Sequence, residues 1–325
     1  MSRTLLALGA ALAIAAGAPA AGCGGDGARP SAGDRPLTLA LDFAPNPVHA
    51  GIYAAVEGAE DRPRGIALRV RAPSASTDSL KLLASGRADV GVADIQDLGL
   101  ARERGDDLVG VGALVQRPLA AVIARPPVRR PRDLEGRRVG VAGLPSDDAV
   151  LRAVVEADGG RSERVRTTTI GFSAVPALVT GRVAAATAFW NAEGVALRER
   201  GVVTREFRIG EDAAPRYPEL VLVVRRESLD RDRGRVEAAV AAVRAGTDAA
   251  LRDPRPALAA IARASSADTD LVRAQFEAVR PALAPPVRLD RRSLEAWADF
   301  AERFGILRSR PEIERAFALE VAAAP

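Results

Sequence analysis

With a single cysteine, Cys23, the chain cannot close an internal disulfide or build a multi-cysteine metal site. Its single histidine, His49, leaves a metal site without the second imidazole that such sites usually use. Lysine is equally scarce. Lys81 is the only one, so the 46 basic residues, set against 42 acidic ones, are nearly all arginines spread along the chain. The isoelectric point near 10.0 therefore reflects arginine and not a basic patch, and nucleic-acid binding is not implied. Aromatics make up only 4% of the 325 residues while 48% are apolar. That is ample for two soluble domains of roughly 100–200 residues each.

The N-terminus is the one place with a sustained apolar run. Arg3 gives a short positive region, Leu5 to Ala18 are apolar or glycine, and Ala20-Ala21-Gly22 lead into Cys23. The run is too short for a permanent span, since a bilayer needs about 20 apolar residues. The stretch looks like a bacterial lipoprotein signal, with Cys23 as the lipidated first residue of the mature chain and Ala20 where leucine is usual. An ordinary secretory signal cut nearby is the alternative. Residues 1–23 are thus the signal and its lipidation cysteine, and the glycine-rich residues 24–36 a flexible tether.

Beyond the tether, strand and helix alternate. Leu37, Leu39 and Leu41 alternate with smaller or polar residues as a buried strand does, and Pro45 and Pro47 then force a stiff loop that feeds a helical run over Val48 to Glu57. Strands follow at Ile66 to Val70, Ala88 to Ala93, Leu108 to Val115 and Leu119 to Ala124, with helices at Asp78 to Ala84, opened by Ser76 or Thr77, and Gln96 to Arg104. After the basic, proline-bearing stretch to Arg132 the same pattern repeats. Strands are predicted at Arg138 to Ala142, Val165 to Ile170 and Val183 to Phe189, with helices at Asp147 to Ala157, Ser173 to Thr180 and Gly194 to Arg200. The β-branched strand Glu219 to Val224 can return the chain to the first unit, leaving helices at Arg235 to Leu251, Pro256 to Arg263, Thr269 to Val279 and Ser293 to Phe304. This predicts two α/β lobes, 37–123 plus 225–325 and 124–224, joined by two strand crossovers near Ala120 to Pro126 and Leu220 to Arg226.

Four segments carry a specific resemblance. They are Leu41-Asp42-Phe43-Ala44-Pro45-Asn46-Pro47-Val48-His49-Ala50-Gly51-Ile52-Tyr53, Leu83-Ala84-Ser85-Gly86-Arg87-Ala88-Asp89, Asp133-Leu134-Glu135-Gly136-Arg137-Arg138-Val139-Gly140, and Ala188-Phe189-Trp190-Asn191-Ala192-Glu193-Gly194-Val195. Over about Leu37 to Leu251 the chain resembles the thiamine-pyrimidine-precursor branch of the ABC-transporter substrate-binding proteins. The resemblance implies a type II periplasmic-binding-protein fold of two α/β lobes on a two-strand hinge. It also implies a monomer that captures a hydroxymethyl- or formylaminomethyl-aminopyrimidine, without cofactor or metal, and delivers it to a membrane permease. Located by its anchor, the protein would be lipid-tethered on the outer face of the cell membrane. A fungal pyrimidine-forming enzyme of the same superfamily is a rival, but its essential lysine and histidine fall in the segment matching Gly91 to Asp97. Here Ala93 and Asp97 stand in their place, and neither can form a Schiff base.

In open α/β sheets ligands bind beyond strand ends, and the candidate site residues cluster there: Asp42, Phe43, Asn46, His49, Tyr53, Asp94, Ser146, Trp190, Asn191 and Glu193. Phe43 and Trp190 read either as ring-stacking partners or as core aromatics. Asn46 reads as a ligand group or a turn former between prolines, His49 as a site group or an internal hydrogen bonder, and Asp94 as a site carboxylate or a helix N-cap. Tyr53, one turn after His49, shares its face, and Ser146 either caps its helix or touches ligand. Glu193 either meets the amidine-like edge of a protonated aminopyrimidine with two charge-assisted hydrogen bonds or only favours the N-terminus of its helix. Asp147 and Asp148 in the first turn of their helix would repel a phosphate, so an unphosphorylated ligand is expected. A sulfonate or nitrate binder, or a riboflavin-like one, is the alternative on the same fold.

The anchor reading has a direct check. Cys23→Ser should move the protein from the membrane to the soluble fraction on cell fractionation, whereas continued retention would contradict it.

Overall fold

Leucines at 37, 39 and 41 face one apolar cluster while Ala40 faces another, because β1 (Arg35–Ala40) is buried on both sides and successive side chains point to opposite faces. The computed structural model describes residues 35–74, 78–144 and 146–323. Cys23 and the tether up to residue 34 lie outside the described residues, as do Ser76 and Thr77, expected to open a helix.

The first sheet has five strands in the order β2-β1-β3-β10-β4, with β2 Ile66–Arg71, β3 Val90–Asp94, β4 Leu108–Ala113 and β10 Leu220–Arg225. The second has the order β7-β6-β8-β5-β9, with β5 Ala120–Ala124, β6 Arg138–Val141, β7 Arg166–Thr169, β8 Ala185–Phe189 and β9 Arg205–Arg208. In each, four strands run in one direction, and the fourth in the order is antiparallel to both its neighbours: β10 in the first sheet, β5 in the second.

This shifts the expected lobe boundaries. The predicted breaks at 123/124 and 224/225 fall within strands, because β5 belongs wholly to the second sheet and β10 to the first. The chain crosses at residues 114–119 and returns at 213–219, one strand earlier than expected on both passes. An apolar strand beside a proline-rich stretch looks terminal in sequence, yet here it is the first strand of the new sheet.

The helices of the first half are α1 Ala50–Glu57, behind a 3-10 turn over Pro47–His49, then α2 Asp78–Ala84, α3 Ile95–Glu103, α4 Asp147–Ala157, α5 Ala174–Val179, α6 Val195–Glu199 and the short α7 Ile209–Asp212. A π-turn, Trp190–Gly194, precedes α6. After β10 come α8 Arg226–Arg231, α9 Arg233–Arg252, α10 Arg255–Ser265, α11 Thr269–Val279, α12 Arg291–Arg303, α13 Ile313–Ala316 and α14 Leu319–Ala323. The sequence pattern misses β9, whose Arg-Glu-Phe-Arg composition has one apolar residue, and the short α7, α8, α13 and α14. Each owes its structure to what it packs on, not to propensity.

Both apolar clusters draw on both sheets. Ala121 and Ile123 of β5 and Leu220, Leu222 and Val224 of β10 face the cluster that α1, α9, α10 and α11 cover. The alternate residues Val122, Val221 and Val223 face α4 and α12, with Trp297 at the centre. Since β5 and β10 are the strands that follow the crossovers, the core is continuous around the hinge.

The closest helix contact is between α1 and α9, and two glycines permit it. A Cβ on Gly246 would stand 2.1 Å from the Gly51 carbonyl oxygen and 2.5 Å from the Ala55 nitrogen, which are backbone atoms that cannot rotate away. Gly246→Ala should therefore lower the unfolding free energy by about 1–3 kcal/mol or more in urea titration, although alanine is the better helix former. An unchanged midpoint would mean that the two helices can separate freely.

Candidate functional site

The loop after β1 sets the first wall of the site. Asn46 caps the 3-10 turn, its Oδ1 accepting the Val48 N–H at 3.1 Å, and its own N–H donates to His49 Nδ1 at 3.3 Å. With Nδ1 accepting, His49 is the neutral tautomer that carries its proton on Nε2, and that N–H donates to Asp42 Oδ1 at 2.8 Å. His49 is fully buried, at 0% exposure. A proline-bracketed turn thus holds an imidazole that orients one carboxylate.

Asp42 and Phe43 open into a cavity of about 490 Å3 between the sheets. From the first lobe it is lined by Asp94, at the end of β3, and by Asp97, one turn along α3. The second lobe contributes Ser146, Asp147, Phe172, Thr187, Phe189 and Glu193. Phe43 and Phe172 meet edge-on, with ring centroids 4.2 Å apart, so one ring from each lobe closes on the other. The two cations of the lining, Lys81 and Arg104, are exposed. Carboxylates dominate the buried polar lining.

Backbone N–H groups hold several of these acids in place. Asp94 accepts the Gln96 N–H at 2.7 Å and so caps α3, while Glu193 Oε2 accepts the Phe189 N–H at 3.1 Å. Asp147 Oδ2 accepts from Gly143 and Leu144 at 2.7 and 2.8 Å, and its Oδ1 accepts from the Thr187 hydroxyl at 2.7 Å. Asp97 Oδ1 accepts the Ser146 N–H at 3.2 Å, a buried hydrogen bond from one lobe to the other. Behind Asp94 lies Glu219, wholly buried, whose Oε2 accepts the Leu119 N–H at 3.1 Å.

Burial sets the protonation of the group. Desolvation raises Asp94, Asp97, Asp147 and Glu193 above the ordinary carboxylate range, and Asp42 adds to the rise of Glu193. Glu219 is pushed up to about 7, first by burial, while hydrogen bonds from Asp94 and the backbone hold it back. For Asp94 the second cause is the charge of Glu219 beside it. The cavity favours a ligand that brings positive charge or N–H donors.

Of the sequence candidates, Asp42, Phe43, Asp94, Ser146 and Glu193 line the cavity, and Asn46, His49, Tyr53, Trp190 and Asn191 do not. Asn46 and His49 act through Asp42. Tyr53 packs half-buried against the first apolar cluster. Trp190 is turned into the fold: its Nε1–H donates to the Pro118 carbonyl at 3.2 Å, and the Arg208 guanidinium stacks 4.4 Å from its ring centroid. Asn191 is wholly buried, and its side-chain amide makes no hydrogen bond among the described residues. Of the two aromatics expected as ring partners, Phe43 lines the cavity and Trp190 does not, and Phe172 and Phe189 line it as well.

Phe172, Asp97, Thr187 and Glu219 were not among the candidates. The strand-end rule that selected Phe43 also selects Phe172, three residues after β7. Glu219 immediately precedes a strand that recrosses between lobes, which marks a hinge only once the topology is known. Among the described residues no cluster of three or more His, Cys, Asp or Glu side chains is arranged to hold a metal ion, and no helix is long and apolar enough to cross a membrane.

Comparison with known proteins adds to this geometry. The family described as NMT1/THI5 like matches residues 46–257. A formylaminopyrimidine-binding protein from Halalkalibacterium halodurans is 32% identical over 206 residues, which are 62% of this chain and 62% of that protein. The match thus spans under two thirds of that relative's length. Among solved structures, the ligand-binding component of an ABC-type import system from Staphylococcus aureus, with zinc bound, has a TM-score of 0.72 at 12% identity, covering 89% of this chain and 98% of that one. The periplasmic aliphatic sulphonate binding protein SsuA from Escherichia coli has a TM-score of 0.68 at 17% identity, covering 89% and 99%. At these identities the likeness shows the fold, which is that of the periplasmic binding proteins.

The reassignment of Trp190 is testable on the empty protein. Trp190→Phe leaves the buried Pro118 carbonyl without its donor and removes the larger ring under Arg208, so denaturant unfolding should show a loss of about 1–3 kcal/mol. A variant as stable as wild type would return the indole to the surface of the cleft.

Proposed function

The chain belongs to the NMT1/THI5-like family, and on that footing we propose that it is an extracytoplasmic solute-binding protein of an ABC importer whose ligand is an aminopyrimidine precursor of thiamine. The pyrimidine would carry a hydroxymethyl or formylaminomethyl substituent. The observation that carries this reading is the cavity itself, a space of about 490 Å3 with an aromatic pair at one side and carboxylates as its main buried polar groups. A flat, nitrogen-rich ring that protonates readily matches both features. The 32% identity to a formylaminopyrimidine-binding protein supports the same ligand class.

In this reading the ring lies against Phe43, Phe172 or Phe189. Glu193 takes the exocyclic amine and the protonated ring nitrogen in two charge-assisted hydrogen bonds. Asp42, aimed by His49, supplies further negative charge at hydrogen-bonding distance from that imidazole and not from a cation. Asp147 and Thr187 form a hydrogen-bonded pair on the opposite lobe. A ligand that touches Asp42 and Asp94 from one lobe and Glu193 and Asp147 from the other binds the closed form better than an open one, which is how a hinged protein couples binding to closure. The permease would read that closed form, and lipidated Cys23 would keep the protein beside it.

Sulfonate and nitrate are disfavoured, because the buried carboxylates would repel an anion and the cations of the lining are exposed. Lys81 lines the cavity from an exposed position on α2. That position is solvated, unlike the desolvated pocket in which Schiff-base lysines act. Binding without turnover follows.

Two measurements test the proposal. A thermal-shift screen of the tag-free mature domain against aminopyrimidines, riboflavin, taurine and polyamines should give its largest stabilisation with an aminopyrimidine, and a larger shift with taurine would overturn the ligand class. Calorimetric titration then isolates Glu193. Because glutamine keeps an acceptor for the Phe189 N–H, Glu193→Gln should leave the melting temperature of the empty protein nearly unchanged. It should still weaken the aminopyrimidine by about ten- to a hundredfold, the worth of a hydrogen bond to a charged group. Equal affinities would reduce Glu193 to a brace for the end of β8.

A further inference from the structure

Glu219 lies on the return crossover, at 0% exposure, immediately before β10. Its Oε2 accepts the Leu119 N–H of the outbound crossover at 3.1 Å and the Ala120 N–H also holds the carboxylate, while among the described residues its buried Oε1 makes no close hydrogen bond. Asp94, which lines the cavity, is within hydrogen-bonding reach of it. Two bare carboxylates side by side in a buried site repel each other strongly, whereas one proton between them removes the repulsion and supplies the donor that Oε1 lacks.

The groups facing the pair favour keeping that proton. Asp42 approaches from the loop after β1, with a neutral His49 behind it, and Asp97 from α3. Tyr217, from the return crossover, brings a buried hydroxyl beside the Gln96 side-chain amide. All are acids or neutral groups. Burial and mutual charge push both members of the pair upward, Glu219 to about 7.

We propose that Asp94 and Glu219 hold one proton between them in the empty protein and give it up when a cationic ligand group seats on Asp94, so that capture is linked to pH through a carboxyl pair set at the hinge. The O–H bond of the pair breaks, its proton passes to solvent, and the ligand's N–H replaces it as the donor to Asp94. This rests on the cationic aminopyrimidine reading. It extends that reading by making Glu219, which does not line the cavity, the residue that sets the charge of the cavity floor. Below about pH 7, where the empty pair is protonated, each proton released makes binding up to tenfold weaker per pH unit of acidification.

The experiment has a ligand-free arm and a ligand arm, with wild type beside Glu219→Gln. The variant places an amide N–H where the shared proton stood and removes both one titrating group and the charge that helps to raise Asp94. In the ligand-free arm, a carboxyl raised in the folded state contributes stability that is fully present below its unfolded value and is lost as pH rises through the folded one. Between about pH 5 and about pH 8 the wild-type melting temperature should therefore fall more steeply than that of the variant. In the ligand arm, a hydroxymethyl-aminopyrimidine is titrated in buffers of differing ionisation heat. Wild type should release up to one proton more than the variant, and subtraction removes the titration of the ligand and of Glu193. Parallel melting profiles, or equal proton counts, overturn the proposal. If Glu219→Gln does not fold, Asp94→Asn removes the same proton and is read in the ligand-free arm. Absence of any aminopyrimidine binding by wild type overturns the ligand reading and the coupled release with it, while the ligand-free slope still decides whether the pair holds a proton.

Discussion

Negative charge confined with little water is the constraint on which the site depends. A carboxylate taken out of water loses several kcal/mol of hydration, and neighbours of the same sign add to the loss. The chain offsets this with backbone donors: Gln96, Ser146, Gly143, Leu144, Phe189 and Leu119 each direct an N–H at an acid. Most of these donors sit where a strand ends or a helix begins, since those are the places where amides lack a partner within their own element. The location of the cavity and the stability of its charges thus have the same cause.

The topology explains why the two lobes act as one unit. Each sheet contains one strand that arrives from the other half of the chain, and the residues beside those strands, Leu119 and Glu219, bond to each other across the hinge. The Asp97 to Ser146 hydrogen bond and the donation of Gln275 Nε2 to the Ala192 carbonyl at 3.0 Å join the lobes on further elements. The arrangement of the lobes is therefore supported by polar contacts of the chain itself as well as by the apolar clusters that run through both sheets.

Much of the fold was legible because burial leaves a period in the sequence. The alternating leucines of β1 and the amphipathic helices Asp147–Ala157 and Thr269–Val279 stand where the pattern put them. β9 was not legible, because its pairing with β5 comes from backbone groups that Arg205 and Arg208 do not advertise. The site divides in the same way. Asp42, Phe43, Asp94 and Glu193 follow from strand ends, which periodicity locates. Phe172 lines the cavity and Trp190 does not, because the direction of a ring depends on what else competes for it, here the Pro118 carbonyl and the Arg208 guanidinium. Glu219 needed strand order, which no local pattern contains.

The contact between Phe43 and Phe172 also bears on the shape of what can enter. An edge-on aromatic pair is worth about 0.5–1.5 kcal/mol beyond the area it buries, so this contact biases the two lobes toward each other by roughly two- to twelvefold. A guest must part the rings and give back at least as much. A thin planar heterocycle can slip between them and present a face to each, exchanging one ring contact for two. A puckered or branched molecule of equal volume and charge separates the rings without that return. Thickness would then be a selection criterion beside charge.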